Sequence, residues 1–249
     1  MALHPLAEQF ASVAGAYERG RPDYAPAVVG ALAAELQIAP GAPVLDLAAG
    51  TGKLTRALLA AGLDAVAVEP QTSLREVLAA SIGAERTLDG LAEAIPLADR
   101  SVACVTIGDA FHWFDQHAAL REIRRVVRPG GGLALLTTVP DWGGASWAHD
   151  LGTLIARTRP EHPHFDGPSW REAVEAAGGW SEPREIRVTT SHLADPARIV
   201  DHVASMSWVA GMSEDERAQM LAQASALIEA GDTPDQLPVH VVIGLTSLA

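Results

Sequence analysis

The chain has 249 residues, 48% of them hydrophobic, which is enough for one large domain, or one domain with a lid, around a sizeable core. Its formal net charge is −13, it has no Lys/Arg-rich run and Lys53 is its only lysine, so nucleic acid and anionic membrane are not expected partners. No stretch approaches the roughly 18 consecutive apolar residues of a membrane span, and no basic-then-apolar leader opens the chain. Cys104 is the single cysteine and lies in an apolar run, so no internal disulfide forms and a cytoplasmic protein is the expectation.

In chain order, residues 5–18 read as a short helix, followed by the turn-rich "RGRPDYAP" (19–26) and a second helix over 25–36 opened by Pro26. "VLDLA" (44–48) reads as a buried strand, and a helix over 52–61 follows, with Gly62 past its end. Strands are predicted over 65–70, 85–88, 101–108 and 133–139, with helices over 73–81 and 118–127 between them and a "RPGGG" loop at 128–132. Arg121, Arg124, Arg125 and Arg128 then fall partly on the solvent face of a helix. Beyond residue 140 come helices over 146–157, 169–177, 196–210 and 213–230 and strands over 184–191 and 239–246. Strands apolar on both faces alternating with helices imply a doubly wound, mostly parallel α/β sheet covered on both sides. Seven strands are expected, with a small lid inserted after the fifth. The expected layout is a single domain: N-terminal helices (1–40), a cofactor-binding core (41–140), a lid with the last sheet elements (141–235) and a final strand (236–249). Ligands in such sheets bind at the C-terminal strand ends, where strand order reverses.

The loop "VLDLAAGTG" (44–52) lies at that edge. A G-x-G-x-x-G dinucleotide fingerprint aligned on it meets Ala48, Gly50 and Lys53, so two of three glycines are missing. Asp46 would also repel a pyrophosphate, at about 1 kcal/mol for like charges 4 Å apart in water and about 4 at an effective dielectric of 20. A cationic amine or sulfonium fits there instead. The small residues admit a ligand to the backbone, and the following helix offers free N–H groups to a carboxylate. Glu69 closes the second strand 19 residues after Gly50, the position of an acid that binds ribose hydroxyls. A zwitterionic amino acid joined to a nucleoside satisfies both signals, and S-adenosylmethionine is such a molecule.

On these residues the chain resembles the class I S-adenosylmethionine-dependent methyltransferases of the small-molecule type. "VLDLAAGTGKLT" is similar to the first motif of that superfamily and "VAVEP" to its second. "LDGLAEAIPLADRSVACVTIGDAFHWFD" (88–115) is similar to the third and fourth region, "RVVRPGGGLAL" to the approach to strand five, and "AYERGRPDY" to the N-terminal segment. The likeness covers about residues 10–140 and implies a Rossmann-like fold. It further implies that Asp46, Ala48, Gly50 and Gly52 surround the methionine part, that Glu69 binds the ribose and that Pro70 packs on the adenine. Leu91 and Ala92 would meet the adenine edge, and Gly108 and Ala110 would border the sulfonium. Tyr17 and Arg21 would close over the cofactor, with Arg21 a partner for its carboxylate. Two positions depart from the pattern: Ala48 replaces a glycine, which requires an ordinary backbone angle there, and Leu91 stands where an acid is frequent.

"DAFHWFD" (109–115) follows the fourth strand and is the candidate reaction site. His112 is the candidate general base, since histidine exchanges protons near neutral pH with an ordinary pKa of about 6.5. Phe111, Trp113 and Trp142 are candidate substrate-lining residues, and Trp147, Trp170 and Trp208 either line an apolar pocket or pack in the core. His162, His164 and Asp166 have a weak metal spacing, so no metal is expected. No G-x-S-x-G elbow is present, which disfavours a hydrolase. The expected activity is methyl transfer from S-adenosylmethionine, yielding S-adenosylhomocysteine, to a small organic acceptor, with oxygen favoured and nitrogen or carbon open. The alternatives are a different reaction on the same cofactor, or a non-catalytic binding partner. A monomer or homodimer without nucleic-acid or membrane partners is expected.

Overall fold

The computed structural model describes residues 3–144, 146–193, 195–231 and 236–248. Residues 1, 2, 145, 194, 232–235 and 249 fall in the segments 1–40, 141–235 and 236–249 set out above and lie outside the described residues. The chain forms two compact units, Asp23–Thr138 with Pro163–Val188 and Val241–Ala249, and Met1–Pro22 with Val139–His162 and Thr189–His240.

The N-terminal helix is expected to be continuous but is broken. α1 (Pro5–Glu8) passes through a 3-10 turn (Gln9–Val13) into α2 (Ala14–Gly20), because Val13 leaves helical angles at φ −125°, ψ 19°. Then follow α3 (Pro26–Glu35), β1 (Pro43–Leu47), α4 (Lys53–Ala60), β2 (Asp64–Val68), α5 (Thr72–Ile82), β3 (Thr87–Leu88), β4 (Val102–Gly108) and α6 (Gln116–Val126). β5 (Val127–Pro140) leads to α7 (Ser146–Thr158), α8 (Pro163–Asp166), α9 (Trp170–Ala177), β6 (Arg184–Leu193), α10 (Pro196–Ala204), α11 (Ser207–Ala210), α12 (Glu214–Ala230) and β7 (Gln236–Ser247). The helix expected over 196–210 stops at Ala204, where the Ser205 hydroxyl donates to the His202 carbonyl (2.7 Å) and Met206 turns extended.

The sheet order is β3-β2-β1-β4-β5-β7-β6. β1 pairs in parallel with β2 and β4, β2 with β3, and β4 with β5. β7 runs antiparallel to both of its neighbours, β5 and β6. Gly131 bonds Leu248 while Asp141 bonds Pro238, and Ser181 bonds Ser247 while Thr189 meets His240. The "RPGGG" loop is instead a bulge inside β5, since Val127 pairs with Val102 and Gly132 with Cys104. Its glycines permit it: Gly130 sits at φ +75°, and a Cβ on Gly131 would lie 2.5 Å from the Ala103 carbonyl oxygen.

Period-two alternation divides the strand residues between two cores. Leu45, Leu47, Val105, Ile107, Leu133 and Leu135 pack with Leu120, Ile123 and Val126 of α6 and Val174 of α9. Val44, Cys104, Ala134 and Leu136 pack with Val28 and Leu32 of α3 and Leu54 and Leu58 of α4. A third core, in the unit that begins at the N-terminus, joins Trp147 and Leu151 of α7, Ile199 and Val203 of α10, and Met220 and Ile228 of α12. Strand order reverses between β1 and β4, so the edge formed by Leu47 and Gly108 is the switch point at which such sheets bind ligands.

Candidate active site

The loop leaving β1 is shaped by three left-handed residues, Ala48 (φ +56°), Gly50 (φ +59°) and Gly52 (φ +89°). The ordinary angle required of Ala48 is therefore absent. The tight turn demands the conformation that the superfamily glycine would supply, and an L-residue there costs about 1–2 kcal/mol. At Gly52 a Cβ would also meet Leu78 Cδ1 at 2.6 Å.

Glu69 ties the loop to the end of β2. Its Oε2 accepts the Gly50 N–H (2.8 Å) and its Oε1 the Gln71 N–H (2.9 Å). Arg75 donates to the carbonyls of Glu69 and Pro70 (both 2.8 Å) and fixes the turn beyond. Burial raises the Glu69 carboxyl above the usual carboxylate range, opposed by those two backbone N–H groups.

Asp46 lies beneath the loop, only 1% exposed. It does not cap α4, whose N-cap, Gly52, has no side-chain bond. Instead Oδ2 accepts from the Thr55 hydroxyl at 2.6 Å. Burial pushes the carboxyl up to about 7 against the pull of Thr55, and the nearby Glu69 charge adds to the rise. Asp46 Oδ1 and Thr51 Oγ1 are buried without a hydrogen-bond partner. An acceptor and a hydroxyl left over beside a loop of small residues suit a ligand bearing both an ammonium group and a carboxylate. Lys53, not singled out from the sequence, is buried at the start of α4 with Nζ 2.7 Å from Asp23. Its uniqueness and its place beside the loop were the available signal.

The other predicted cofactor residues of this unit lie along the same strand ends. Leu91 is half-buried and bridges to Ala94, and Ala92 is buried. The preceding Gly90 is held close, since a Cβ there would meet Pro96 Cδ at 2.6 Å. Gly108 leaves room for Tyr24, whose hydroxyl would be 2.6 Å from a Cβ, and Ala110 is buried. Between them Asp109 adopts φ +52°; its Oδ1 accepts the Thr138 N–H at 2.9 Å and its Oδ2 lies 3.5 Å from the Tyr24 hydroxyl. Neither Asp109 nor Tyr24 was selected from the sequence. Asp109 opens "DAFHWFD" directly after β4, and Tyr24 closes "AYERGRPDY"; those two segments were the available signal.

Past Ala110 a cavity of about 380 Å³ opens against Ile107 and Leu135. Phe111, His112, His164 and Trp170 line it, with Asp109 and Glu185. The His112 ring lies 4.8 Å from that of His164 and 4.4 Å from Trp113. Trp113 itself packs on the core and is not among the lining residues. Among the described residues no group of three or more His, Cys, Asp or Glu side chains is arranged to hold a metal.

Three predicted site residues belong to the other unit. Tyr17 packs edge-on to Phe10 and carries the Arg21 guanidinium 5.4 Å from its ring centre. Arg21 is committed there to Ser205, donating to its hydroxyl (2.9 Å) and its carbonyl (3.3 Å). Trp142 lies edge-on to His202 at 5.7 Å and against Gly152. Burial holds the His202 imidazole well below the usual range, and Arg21 and His192 lower it further. His162 is buried in this unit, 3.2 Å from the Ser207 hydroxyl.

The profile of the methyltransferase-domain family matches residues 45–135, the segment holding the β1 loop, Glu69 and His112. An uncharacterized methyltransferase of Mycobacterium tuberculosis is 37% identical over 219 residues, 88% of this chain and 85% of the relative. A ubiquinone/menaquinone biosynthesis C-methyltransferase of Legionella pneumophila is 36% identical over 152 residues, 51% of this chain and 59% of the relative. A solved structure from Anaeromyxobacter dehalogenans, described there as a candidate type II methyltransferase, shares the fold with a TM-score of 0.63 at 22% identity, covering 91% of this chain and 97% of that one. The chain belongs to the methyltransferase-domain family, within the class I S-adenosylmethionine-dependent methyltransferases. It is an enzyme whose cofactor is S-adenosylmethionine.

Proposed function

We propose that the protein methylates a small organic acceptor held in the cavity at the ends of β4 and β5, with oxygen as the acceptor atom and His112 as its base. The supporting observation is that His112 lines this cavity two residues past Ala110, the position that resemblance assigns to the sulfonium border. Asp46, Ala48, Gly50 and Gly52 would hold the amino-acid part of the cofactor, Glu69 its ribose, and Pro70, Leu91 and Ala92 its adenine. Bound there, S-adenosylmethionine supplies an electrophilic methyl group. The protein aligns the acceptor, and His112 takes the hydroxyl proton as the oxygen becomes nucleophilic. Apolar walls at Ile107, Leu135 and Phe111 limit water around the reacting atoms.

A carbon acceptor is the second reading, favoured by the resemblance to the Legionella C-methyltransferase. The same proton removal from a phenol makes a ring carbon nucleophilic, so His112 keeps its role. Among the described residues no helix is long and apolar enough to cross a membrane. A cytoplasmic monomer or homodimer without nucleic-acid partners completes the proposal.

The test is incubation with S-adenosylmethionine and separate phenols, enols, amines and carboxylic acids, followed by mass spectrometry. The expected product gains one methylene unit, with S-adenosylhomocysteine formed in equal amount. Cofactor consumption without a methylated product would contradict the proposal.

A further inference from the structure

The cavity walls carry information about which acceptor enters. His112 and His164 come from separate segments, yet their rings lie 4.8 Å apart at 67° on one cavity wall. Two imidazoles so placed can divide the work on one oxygen, one taking its proton and the other donating an N–H to the oxyanion. This arrangement serves a hydroxyl acidic enough to ionise beside histidine, as in phenols and enols, far better than an aliphatic alcohol.

A second wall is flat and fixed. The Trp170 Nε1–H donates to Glu185 Oε1 at 3.2 Å, and the Arg171 guanidinium lies 5.1 Å from the ring centre. Below it, Gly244 of β7 lets the indole rest on the strand: a Cβ there would meet Trp170 Cζ2 at 2.6 Å and Cε2 at 2.8 Å. Gly244 is outside the left-handed region, so contact with Trp170, not backbone angle, is what demands a glycine. The two carboxylates on the walls have partners of their own. Glu185 is bound by the Trp170 N–H and paired with the Arg171 guanidinium (3.6 Å), which weakens its pull on an ammonium-bearing acceptor, while Asp109 accepts the Thr138 N–H. His164, Trp170 and Gly244 all lie outside the segment 45–135 that the family shares.

We propose that His164 and Trp170 determine acceptor specificity: the cavity takes a planar phenol or enol, its hydroxyl within reach of both imidazoles and its flat face against the indole. This rests on the reading of the cavity as the acceptor site.

The experiment titrates para-nitrophenol, cyclohexanol and aniline into protein saturated with S-adenosylhomocysteine, following heat and, for the phenol, the phenolate absorbance. Wild type is expected to bind the phenol as phenolate, with the other two at least about tenfold weaker. His164→Gln is expected to lower the bound phenolate fraction at fixed pH without changing affinity for S-adenosylhomocysteine. Gly244→Ala is expected to weaken phenol binding about tenfold by displacing the indole, and Trp170→Leu repeats the test without crowding the strand. Equal binding of cyclohexanol or aniline, or no effect of His164→Gln and Trp170→Leu, would overturn the proposal. Methylation of an amine or carboxylic acid with the phenol excluded would overturn it while leaving methyl transfer to small molecules intact. Phenol binding that responds to the variants, with no acceptor of any class methylated, would support the specificity and count against the methyl-transfer reading. Absence of both binding and turnover would overturn both.

Discussion

The backbone N–H of Gly50 donates to Glu69 Oε2 at 2.8 Å, joining the loop after β1 to the end of β2. The same carboxylate takes the Gln71 N–H on its other oxygen. One side chain thus orders the ends of β1 and β2 beside the switch point and keeps lone pairs for a ligand hydroxyl. Glu69→Gln offers an acceptor to only one of the two N–H groups and sets an NH2 against the other. S-adenosylhomocysteine affinity is expected to fall by about 1–3 kcal/mol, measured by titration calorimetry. Unchanged affinity would remove Glu69 from the ribose site.

Asp46 gives a pH dependence of definite sign. Its carboxyl is raised to about 7 in the folded protein from 3.8 as the ordinary value. Between these values the folded chain holds a proton that the unfolded chain has lost. Stability from this group is therefore greatest in acid, declines as pH rises through the window and levels off above about 7. Asp46→Asn is expected to flatten this part of the pH profile in urea unfolding, the difference between the two proteins isolating Asp46 from other titrating groups. Binding a cationic cofactor near pH 6 is expected to release a proton, read by calorimetry in buffers of different ionisation enthalpy. Identical slopes in both proteins would contradict the assignment.

Ala48 at φ +56° carries strain that glycine would relieve. The relief of about 1–2 kcal/mol is offset by the greater unfolded-state freedom of glycine, so Ala48→Gly is expected to stabilise by up to about 1 kcal/mol. Ala48→Val places a branched side chain at the same angle and is expected to destabilise by more than about 1 kcal/mol. Chemical denaturation of both variants checks the pair, and a loss of stability in the glycine variant would contradict it.

How much of this was legible in the sequence differs from residue to residue. Asp46 interrupts an apolar strand just before its end and Glu69 follows directly on one, so strand periodicity located the ligand edge and both acids. The angle at Ala48 was not legible, because alanine ordinarily avoids it and only the turn geometry imposes it. The β5 bulge was hidden because "RPGGG" reads as a loop unless its pairing with β4 is known. The breaks at Val13 and Ser205 depend on one residue's angles and one hydroxyl, below the resolution of helical periodicity. Trp170 and His164 were visible as candidates, but spacing could not show which of five tryptophans meets the cavity. Nor could spacing show that His162 would be buried beside Ser207 while His164 faces His112. Such juxtapositions join segments far apart in the chain.

The most direct test of the account compares His112→Ala with wild type in two readings, S-adenosylhomocysteine affinity by calorimetry and methyl transfer to the best acceptor by mass spectrometry. Cofactor affinity is expected to stay within about twofold of wild type while transfer slows by about 10²–10⁴-fold, the contribution of a positioned base. Undiminished transfer across a broad pH range would contradict the role given to His112, and loss of cofactor binding would place the residue on the wrong side of the site.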